Sequence, residues 1–201
     1  MLINRALLQK TRFAKAVSNL KDLPQDQRPQ IVFAGKSNVG KSSLINRLCQ
    51  QNKLARTAQK AGKTRQLIFF DVAGKFYLVD LPGYGFSASS KKEQAEFSRL
   101  TDQYLHSDAP ISLILHILDA RHLPTRQDLQ MIEWLEAAGA PYTMLLNKSD
   151  KLSKTQQEDM QKQIHQFLLE ESGIDFYLLP VSAVKSEGMD DLVKIMGEAL
   201  A

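Results

Sequence analysis

The chain has 201 residues, of which 43% are hydrophobic and 24% charged, a composition that excludes a disordered or collagen-like protein and is typical of one globular domain. Its single cysteine, Cys49, excludes an intramolecular disulfide and a four-cysteine zinc site. The net charge of +4 conceals an asymmetry, because residues 1–65 carry 14 Lys and Arg against two acidic residues, and this suggests an anionic partner on one face.

The first 24 residues are predicted to form an N-terminal appendage to a single domain at residues 25–201. Pro24 and Pro29 break the chain ahead of the first strand. The segment around Phe13 fits helical spacing but would also serve as a short strand, so its type stays open. No apolar segment reaches the roughly 20 residues of a membrane span or forms the core of a signal peptide. We therefore expect a cytoplasmic protein without a membrane span.

Beyond residue 30, apolar segments of β type alternate with segments of helical periodicity, which predicts an α/β fold with a mostly parallel sheet between two helical layers. Six strands are predicted, at Gln30–Ala34, Leu67–Val72, Lys75–Leu81, Ile111–Leu118, Pro141–Leu146 and Phe176–Val181. The second and third are close enough in sequence to form a hairpin, so one antiparallel edge strand is expected. Helices are predicted at Lys41–Gln51, Lys91–Leu105, Arg126–Ala138, Lys154–Glu171 and Met189–Leu200.

A glycine-rich loop follows the first predicted strand and opens a helix. The phosphate-loop pattern G-x-x-x-x-G-K-[ST] is matched by eight consecutive residues: Gly35, Lys36, Ser37, Asn38, Val39, Gly40, Lys41 and Ser42. The glycines let backbone N–H groups turn toward a polyphosphate, and the helix N-terminus adds its positive dipole end. Lys41 would reach the β- and γ-phosphates, and the Ser42 hydroxyl would bind magnesium.

A D-x-x-G motif ends the third predicted strand, at the sheet edge where α/β proteins bind ligands. Its residues are Asp80, Leu81, Pro82 and Gly83. Asp80 fits a carboxylate that binds magnesium through water, and the Gly83 N–H fits a sensor of the γ-phosphate. A plain strand-ending turn is the alternative interpretation.

The motif that selects the base follows the fifth predicted strand and consists of Asn147, Lys148, Ser149 and Asp150. A carboxylate at the base edge can accept hydrogen bonds from guanine N1–H and the 2-amino group together, whereas adenine offers no such pair. Asp150 therefore indicates guanine, while Lys148 can lie against the base and Asn147 can tie this loop to the phosphate loop. A helix-capping loop is the alternative. Backbone N–H groups at Ser182 and Ala183, after the last predicted strand, could meet the guanine carbonyl oxygen.

The segment Lys53–Arg65 contains five basic residues and no acidic ones, which predicts an exposed loop. Within it, Gly62, Lys63 and Thr64 precede the second predicted strand. Thr64 could close over the γ-phosphate as a second hydroxyl ligand of magnesium, with Gly62 as the hinge, and Thr57 is the nearest competitor for that role.

These elements in this order resemble the TRAFAC-type GTPase domain. The strings GKSNVGKSSLIN, AGKTRQ, DLPGYGF, DARH and NKSDKL are similar to the EngB (YihA/YsxC) family of bacterial ribosome-assembly GTPases, over roughly residues 10–200. Lys36 and Ala61 depart from the family, which usually has Arg and Pro at these positions. The second departure predicts a more flexible Thr64 loop.

The resemblance implies a Ras-like, three-layer P-loop GTPase that binds GTP or GDP with Mg²⁺. It also implies a role in assembly of the large ribosomal subunit and a link to normal cell division and septation. The partner would be a subunit precursor, met through a basic face that includes Lys53–Arg65, and the protein would be a monomer. The implied roles are phosphate binding by Gly35–Ser42, magnesium binding by Ser42, Thr64 and Asp80, γ-phosphate sensing by Asp80 and Gly83, and base binding by Asn147–Asp150 and Val181–Ala183.

Lys41, Thr64 and Gly83 are the predicted catalytic residues, but the usual water-orienting glutamine is missing. Ras-like enzymes have that glutamine after the D-x-x-G glycine, whereas this chain has Tyr84, so we expect slow hydrolysis. The flanking glycines and nearby serines predict a mobile switch segment. Asn38 is a candidate ligand for potassium beside the phosphates, by resemblance to related GTPases. An RNA-binding structural module with a vestigial nucleotide pocket is the alternative function.

Overall fold

The structure is a computed structural model that describes residues 3–55, 66–85 and 99–201. One seven-stranded sheet has the strand order β1-β3-β4-β2-β5-β6-β7. In chain order the strands are Thr11–Val17, Gln30–Gly35, Leu67–Val72, Phe76–Asp80, Ile111–Asp119, Tyr142–Asn147 and Leu178–Val181. The α-helices with described bounds are Arg5–Leu8, Lys41–Leu48, Arg126–Ala138, Lys154–Ser172 and Met189–Ala199, and residues 99–105 are also helical.

Of the seven described strands, six run in one direction and β3 runs opposite to them. Strands β2 and β4, β2 and β5, β5 and β6, and β6 and β7 pair in parallel. Strand β3 is antiparallel to both of its neighbours, β1 and β4. The predicted α/β fold with a mostly parallel sheet is confirmed, and the carboxyl ends of β2, β4, β5, β6 and β7 lie at one edge.

The sheet has seven strands where the sequence predicts six, because the segment around Phe13 forms β1. Thr11 pairs with Val72 and Val17 with Leu67, so β1 covers the outer side of β3. The antiparallel strand β3 is therefore internal, and β1 is the edge strand. The first 24 residues contribute strand β1 to the sheet. A separate domain at residues 25–201 stays a prediction.

Apolar side chains cover both faces of the sheet and explain the layered architecture. The helices Lys41–Leu48 and Met189–Ala199 pack on one face, where their leucines and methionines meet Phe33 and Leu115. The helix Arg126–Ala138 and the helical residues 99–105 pack on the opposite face. The predicted helical spacing gives the correct bounds of Arg126–Ala138, because the stripe of apolar residues faces the sheet.

Local signals fix the ends of the two long helices. Thr125 with Asp128, and Ser153 with Gln156, form capping boxes that satisfy exposed N–H groups in the first turns. Both helices end at a glycine in the left-handed conformation.

No helix in the described ranges is long and apolar enough to cross a bilayer. The cytoplasmic location expected from the sequence stays a prediction.

The N-terminal segment is expected to contribute to stability because Leu8, on its short helix, is fully buried in the core. Replacing Leu8 with Ala should lower the free energy of unfolding by about 3 kcal/mol, since it leaves a cavity. Phe13→Ala on the same segment is the control, because Phe13 is 39% exposed and should change stability by less than about 1 kcal/mol. Urea unfolding followed by circular dichroism measures both. Equally small losses would show that the segment packs loosely.

Candidate nucleotide-binding site

The site lies where parallel strands end. Gly35 ends β2, Asp80 ends β4, Asn147 ends β6 and Val181 ends β7. Because these strands run in parallel, their carboxyl ends lie at one edge of the sheet, the position at which open α/β sheets bind ligands. The fold therefore brings together four of the predicted motifs that the sequence separates by up to 146 positions.

The glycine-rich loop curls back on itself before the helix Lys41–Leu48 begins. The Val39 N–H donates to the Lys36 carbonyl at 3.2 Å. Gly40 has a φ of 106°, and a Cβ there would lie 2.3 Å from Asn147 Nδ2. Only glycine therefore allows this loop and the Asn147 side chain to pack together.

Lys41 and Asp80 lie deep in the same region. Lys41 Nζ donates to the Gly35 carbonyl at 3.0 Å, and the side chain is buried. Burial lowers the pKa of Lys41, while the nearby Asp80 charge acts in the opposite direction. Burial raises the pKa of Asp80 to about 6, against the opposing effects of Lys41 and Ser42. A buried cation and a buried carboxylate thus face the mouth of the phosphate loop.

The oxygen atoms of Ser42 and Asp80 fit a hard divalent cation. Ser42 Oγ lies 3.5 Å from Asp80 Oδ2. Asp80 Oδ1 is buried and has no hydrogen-bond partner within residues 3–55, 66–85 and 99–201. Mg²⁺ prefers oxygen ligands and keeps several of its waters, so a small number of protein oxygens suffices. The same ranges contain no cluster of three or more His, Cys, Asp or Glu, so a site built entirely of such side chains is not seen there.

Gly83 lies directly on the phosphate loop. Ser37 Oγ donates to the Gly83 carbonyl at 3.1 Å, and the Ser37 N–H donates to the Tyr84 carbonyl at 2.7 Å. A Cβ on Gly83 would lie 2.8 Å from Ser37 Oγ and 2.9 Å from Lys41 Nζ. The D-x-x-G motif can approach the loop this closely only because its last residue has no side chain.

Tyr84 points into the protein interior. Its hydroxyl donates to Asp128 Oδ1 at 2.6 Å and lies 2.8 Å from His116 Nε2. Asp128 Oδ2 accepts from the N–H and the hydroxyl of Thr125. The sequence predicts a mobile segment here, but its first residues, Gly83–Gly85, are packed against the loop and the core. Residues 86–98, with the serines on which that prediction rests, lie outside the described ranges.

The base-selecting motif is tied to the phosphate loop by two side chains. Asn147 Nδ2 donates to the Val39 carbonyl at 2.9 Å, which is the connection that the sequence predicts. Lys148 Nζ donates to the Asn38 carbonyl at 2.8 Å and to Asp119 Oδ2 at 2.9 Å. Asp119 also accepts two hydrogen bonds of 2.8 Å from Arg121. The second partner of Asp119, Lys148, was not predicted from the sequence.

Asp150 is oriented by the loop that follows β7. Ser182 Oγ donates to Asp150 Oδ1 at 2.7 Å, and this hydrogen bond is the largest influence that lowers the Asp150 pKa. Ser149 Oγ donates to the Val181 carbonyl at 2.9 Å. The carboxylate is therefore held in its charged form beside Ser182 and Ala183, as the guanine hypothesis requires.

Three predicted residues cannot be placed. Gly62, Lys63 and Thr64 lie outside the described ranges, as does the competitor Thr57. The structure adds a further contact that no sequence signal indicates: Arg47 donates to the carbonyls of Ala183 and Val184. Its partners lie 136 and 137 positions away and are backbone atoms, so side-chain patterns carry no trace of this contact.

Comparisons with known proteins agree with this geometry. Residues 30–148 match the family described as 50S ribosome-binding GTPase. The probable GTP-binding protein EngB of Halothermothrix orenii is 39% identical over 189 residues, covering 94% of each chain. The protein of the same description from Petrotoga mobilis is 36% identical over 191 residues, covering 95% of this chain and 96% of the relative.

Solved structures have the same fold. A crystal structure of a probable GTP-binding protein EngB matches with a TM-score of 0.70 and 25% identity, covering 85% of this chain and 98% of that chain. Era of Aquifex aeolicus matches with a TM-score of 0.63 and 22% identity, covering 87% of this chain and 57% of Era, a likeness of fold alone. Fold, loop geometry and relatives together define a P-loop GTPase, an enzyme that binds and hydrolyses GTP. Within that class, the chain belongs to the EngB family of GTP-binding proteins.

Acidification should destabilise the protein through His116. Burial lowers the pKa of His116 to about 4, with Asp128 acting in the opposite direction. The unfolded state, with an ordinary pKa near 6.5, takes up this proton first. Stability present above pH 6.5 is therefore lost as the pH falls toward 4, by up to about 2 kcal/mol at pH 5.

Urea unfolding at pH 7 and pH 5 measures this effect in the wild type and in His116→Gln, which keeps a polar group near the Tyr84 hydroxyl. The variant should lose less stability over this interval. The same pH dependence in both proteins would contradict the assignment to His116, because the other three histidines, His106, His122 and His165, are present in both.

Proposed function

We propose that this GTPase is a slow molecular switch that binds the large ribosomal subunit or its precursor in the GTP state and leaves it after hydrolysis. By resemblance to its family, it would support ribosome assembly and, through it, normal cell division and septation. The observation that carries the proposal is the joining of separate loops at one sheet edge, through the bonds from Asn147 to Val39 and from Ser182 to Asp150.

The phosphate groups are assigned to the glycine-rich loop and the Gly83 N–H. The loop presents backbone N–H groups and the start of the helix Lys41–Leu48 to an anion. Lys41, buried beside the Gly35 carbonyl, would neutralise charge on the β- and γ-phosphates during hydrolysis. Thr64 would complete the catalytic set from the segment that follows this helix.

Magnesium would be held by Ser42 and Thr64, with Asp80 acting through water. The ion supplies charge neutralisation at the phosphate oxygens. Asp80, with one buried oxygen free of partners in the described ranges, suits an acceptor for metal-bound water. A potassium ion beside Asn38 stays a prediction: this residue lies at the loop tip with a φ of 64°, and its carbonyl already accepts from Lys148.

Slow hydrolysis is supported by the position of Tyr84. A hydroxyl that is bonded to Asp128 and His116 in the interior does not orient water at the phosphates. The switch would therefore rely on a group from its partner, or on a monovalent cation, to neutralise the transferring phosphoryl group.

The guanine pocket is tested by Asp150→Asn. Losing the carboxylate should weaken GTP binding about 10- to 100-fold, because hydrogen bonds to a charged group contribute about 1.5–3 kcal/mol. Binding of XTP should strengthen, since xanthine has a carbonyl where guanine has the 2-amino group, and ATP binding should not change. Fluorescence titration with the three nucleotides gives these affinities.

Asp159→Asn is the matched control, because Asp159 is an exposed carboxylate on the helix Lys154–Ser172. It should leave all three affinities unchanged. If Asp150→Asn kept the wild-type preference for GTP, the pocket assignment would be wrong.

A basic face is the proposed contact with ribosomal RNA. The edge strand β1 places Arg12 in one shallow groove with Lys53, the first residue of the basic segment Lys53–Arg65. Arg12 is exposed, and Lys10 before it is exposed as well. RNA phosphates are recognised by such clusters of positive charge. Because the basic segment contains Thr64, nucleotide state and RNA affinity should be linked.

This linkage predicts that the protein binds large-subunit particles more tightly with a non-hydrolysable GTP analogue than with GDP. The double change Arg12→Ala, Lys53→Ala should make the negative slope of log affinity against log salt less steep by about 1.4, at roughly 0.7 for each lost contact with single-stranded RNA. Co-sedimentation across a salt series measures both effects. Lys162→Ala, on the helix beside the opposite sheet edge, is the control. Equal affinities in both nucleotide states would contradict the switch.

A further inference from the structure

Arg47 connects the phosphate-loop helix to the loop after β7. Its Nε donates to the Ala183 carbonyl at 2.6 Å, and its Nη2 donates to the Val184 carbonyl at 2.9 Å. The residue lies near the end of the helix Lys41–Leu48, so its backbone belongs to a rigid element that starts at the phosphate loop. One guanidinium thus fixes two successive carbonyls, a geometry that suits its planar fork of donors.

Because the peptide bond is planar, each carbonyl that Arg47 holds also sets the direction of the N–H group of the next residue. In a trans peptide, the N–H of each residue points opposite to the carbonyl before it, and the described chain contains only trans peptides. The Ala183 carbonyl points to Arg47, so the Val184 N–H points away from it. The same relation holds one residue later: the Val184 carbonyl points to Arg47, and the Lys185 N–H donates to Ser182 Oγ at 3.0 Å.

The N–H groups of Ala183 and Val184 are available donors. Neither donates a hydrogen bond to any atom in the part of the chain that the structure describes. They lie next to Ser182, whose hydroxyl is bonded to Asp150. The Ser182 N–H donates to the Glu187 carbonyl at 3.0 Å, and this hydrogen bond joins the two ends of the loop 182–187. Two open donors therefore lie beside the carboxylate that is proposed to bind guanine.

We propose that Arg47 is a positioning residue for guanine: by holding the Ala183 carbonyl, it directs the Val184 N–H, which lies in the same peptide plane, toward O6 of the base. This inference rests on the guanine pocket proposed above. Guanine presents an acceptor at position 6, whereas adenine presents an amino group, which is a donor. The Val184 N–H, held in this direction, favours guanine, because it can donate to O6. With adenine it would face the 6-amino group, which is also a donor.

Arg47 acts on orientation and does not touch the base. Without its guanidinium, the Ala183 and Val184 carbonyls lose the donor that holds them, and water can reach the Val184 carbonyl, because Val184 is 66% exposed. The peptide planes are then free to rotate, and ordering them again on binding costs conformational entropy. Replacing Arg47 should therefore weaken the binding of nucleotides that carry a strong acceptor at position 6, and it should not weaken the binding of those that lack one.

The test compares GDP, IDP and 6-thio-GDP in the wild type and in Arg47→Ala. GDP and IDP share O6, and they differ only in the 2-amino group assigned to Asp150. Both should bind about 5- to 10-fold more weakly to the variant, the effect of about one neutral hydrogen bond. The sulfur of 6-thio-GDP is a poor acceptor, so its affinity should change less than twofold. The ratio of GDP to 6-thio-GDP affinity should therefore fall, while the ratio of GDP to IDP affinity stays constant.

Two further variants separate orientation from general stability. Arg5→Ala removes a second arginine that lines the same cavity of about 600 Å³ but pairs with the exposed Asp190, and it should change no affinity. Arg47→Lys keeps the charge and a donor without the planar fork, and it should lie between wild type and Arg47→Ala. If Arg47→Ala does not fold by circular dichroism, Arg47→Lys carries the test with the same predicted order of ratios.

A uniform loss of affinity for all three nucleotides, or no loss, would overturn the inference and leave the pocket assignment intact. A wild type that binds GDP and 6-thio-GDP equally would also overturn it, because O6 would not be read by the loop. A wild type that binds GDP no better than ADP would overturn the guanine pocket itself, and the inference with it.

Discussion

The hydrogen bond from Asn147 Nδ2 to the Val39 carbonyl joins the two halves of the site, and the rest of the arrangement depends on it. The bond is buried and crosses from the end of β6 to the phosphate loop on the far side of β5. It requires glycine at position 40, because a Cβ there would occupy the place of the Asn147 amide. Since a buried amide without a partner is costly, this contact fixes the distance between the phosphate and base regions.

The parallel sheet makes this bond possible, and its outer strands set the surroundings of the site. Strands β5, β6 and β7 end in register and β2 ends two residues earlier beside β5, so the loops that follow them lie side by side. At the other end, β1 covers β3 and leaves a basic edge in place of an unpaired apolar one. Charged side chains on an edge strand discourage pairing with another sheet. The same charges suit a polyanionic partner.

The sequence predicts the site better than it predicts the edges of the sheet. Loop motifs are visible because phosphate and guanine chemistry restricts residue type at Gly40, Lys41, Asn147 and Asp150. The type of β1 stayed open, since Phe13 and its neighbours alternate too weakly to separate strand from helix, and only pairing with β3 decides it. The Arg47 contact could not be predicted, because its partners are carbonyl oxygens, which every residue possesses. Tertiary proximity alone selects Ala183 and Val184.

The position of Tyr84 constrains how nucleotide state can be transmitted. Gly83 touches the phosphate loop, while the next residue is bonded to Asp128 on the helix Arg126–Ala138. A shift of Gly83 must therefore break a buried hydrogen bond, at a cost of about 1–3 kcal/mol, or move that helix with it. A ligand shifts such an equilibrium only by its difference in affinity for the two states. For Tyr84 to leave its site, the free energy gained from new contacts between Gly83 and the γ-phosphate must exceed this cost. If the gain is smaller, Tyr84 stays bonded to Asp128, and the movement of Gly83 is transmitted to the helix Arg126–Ala138.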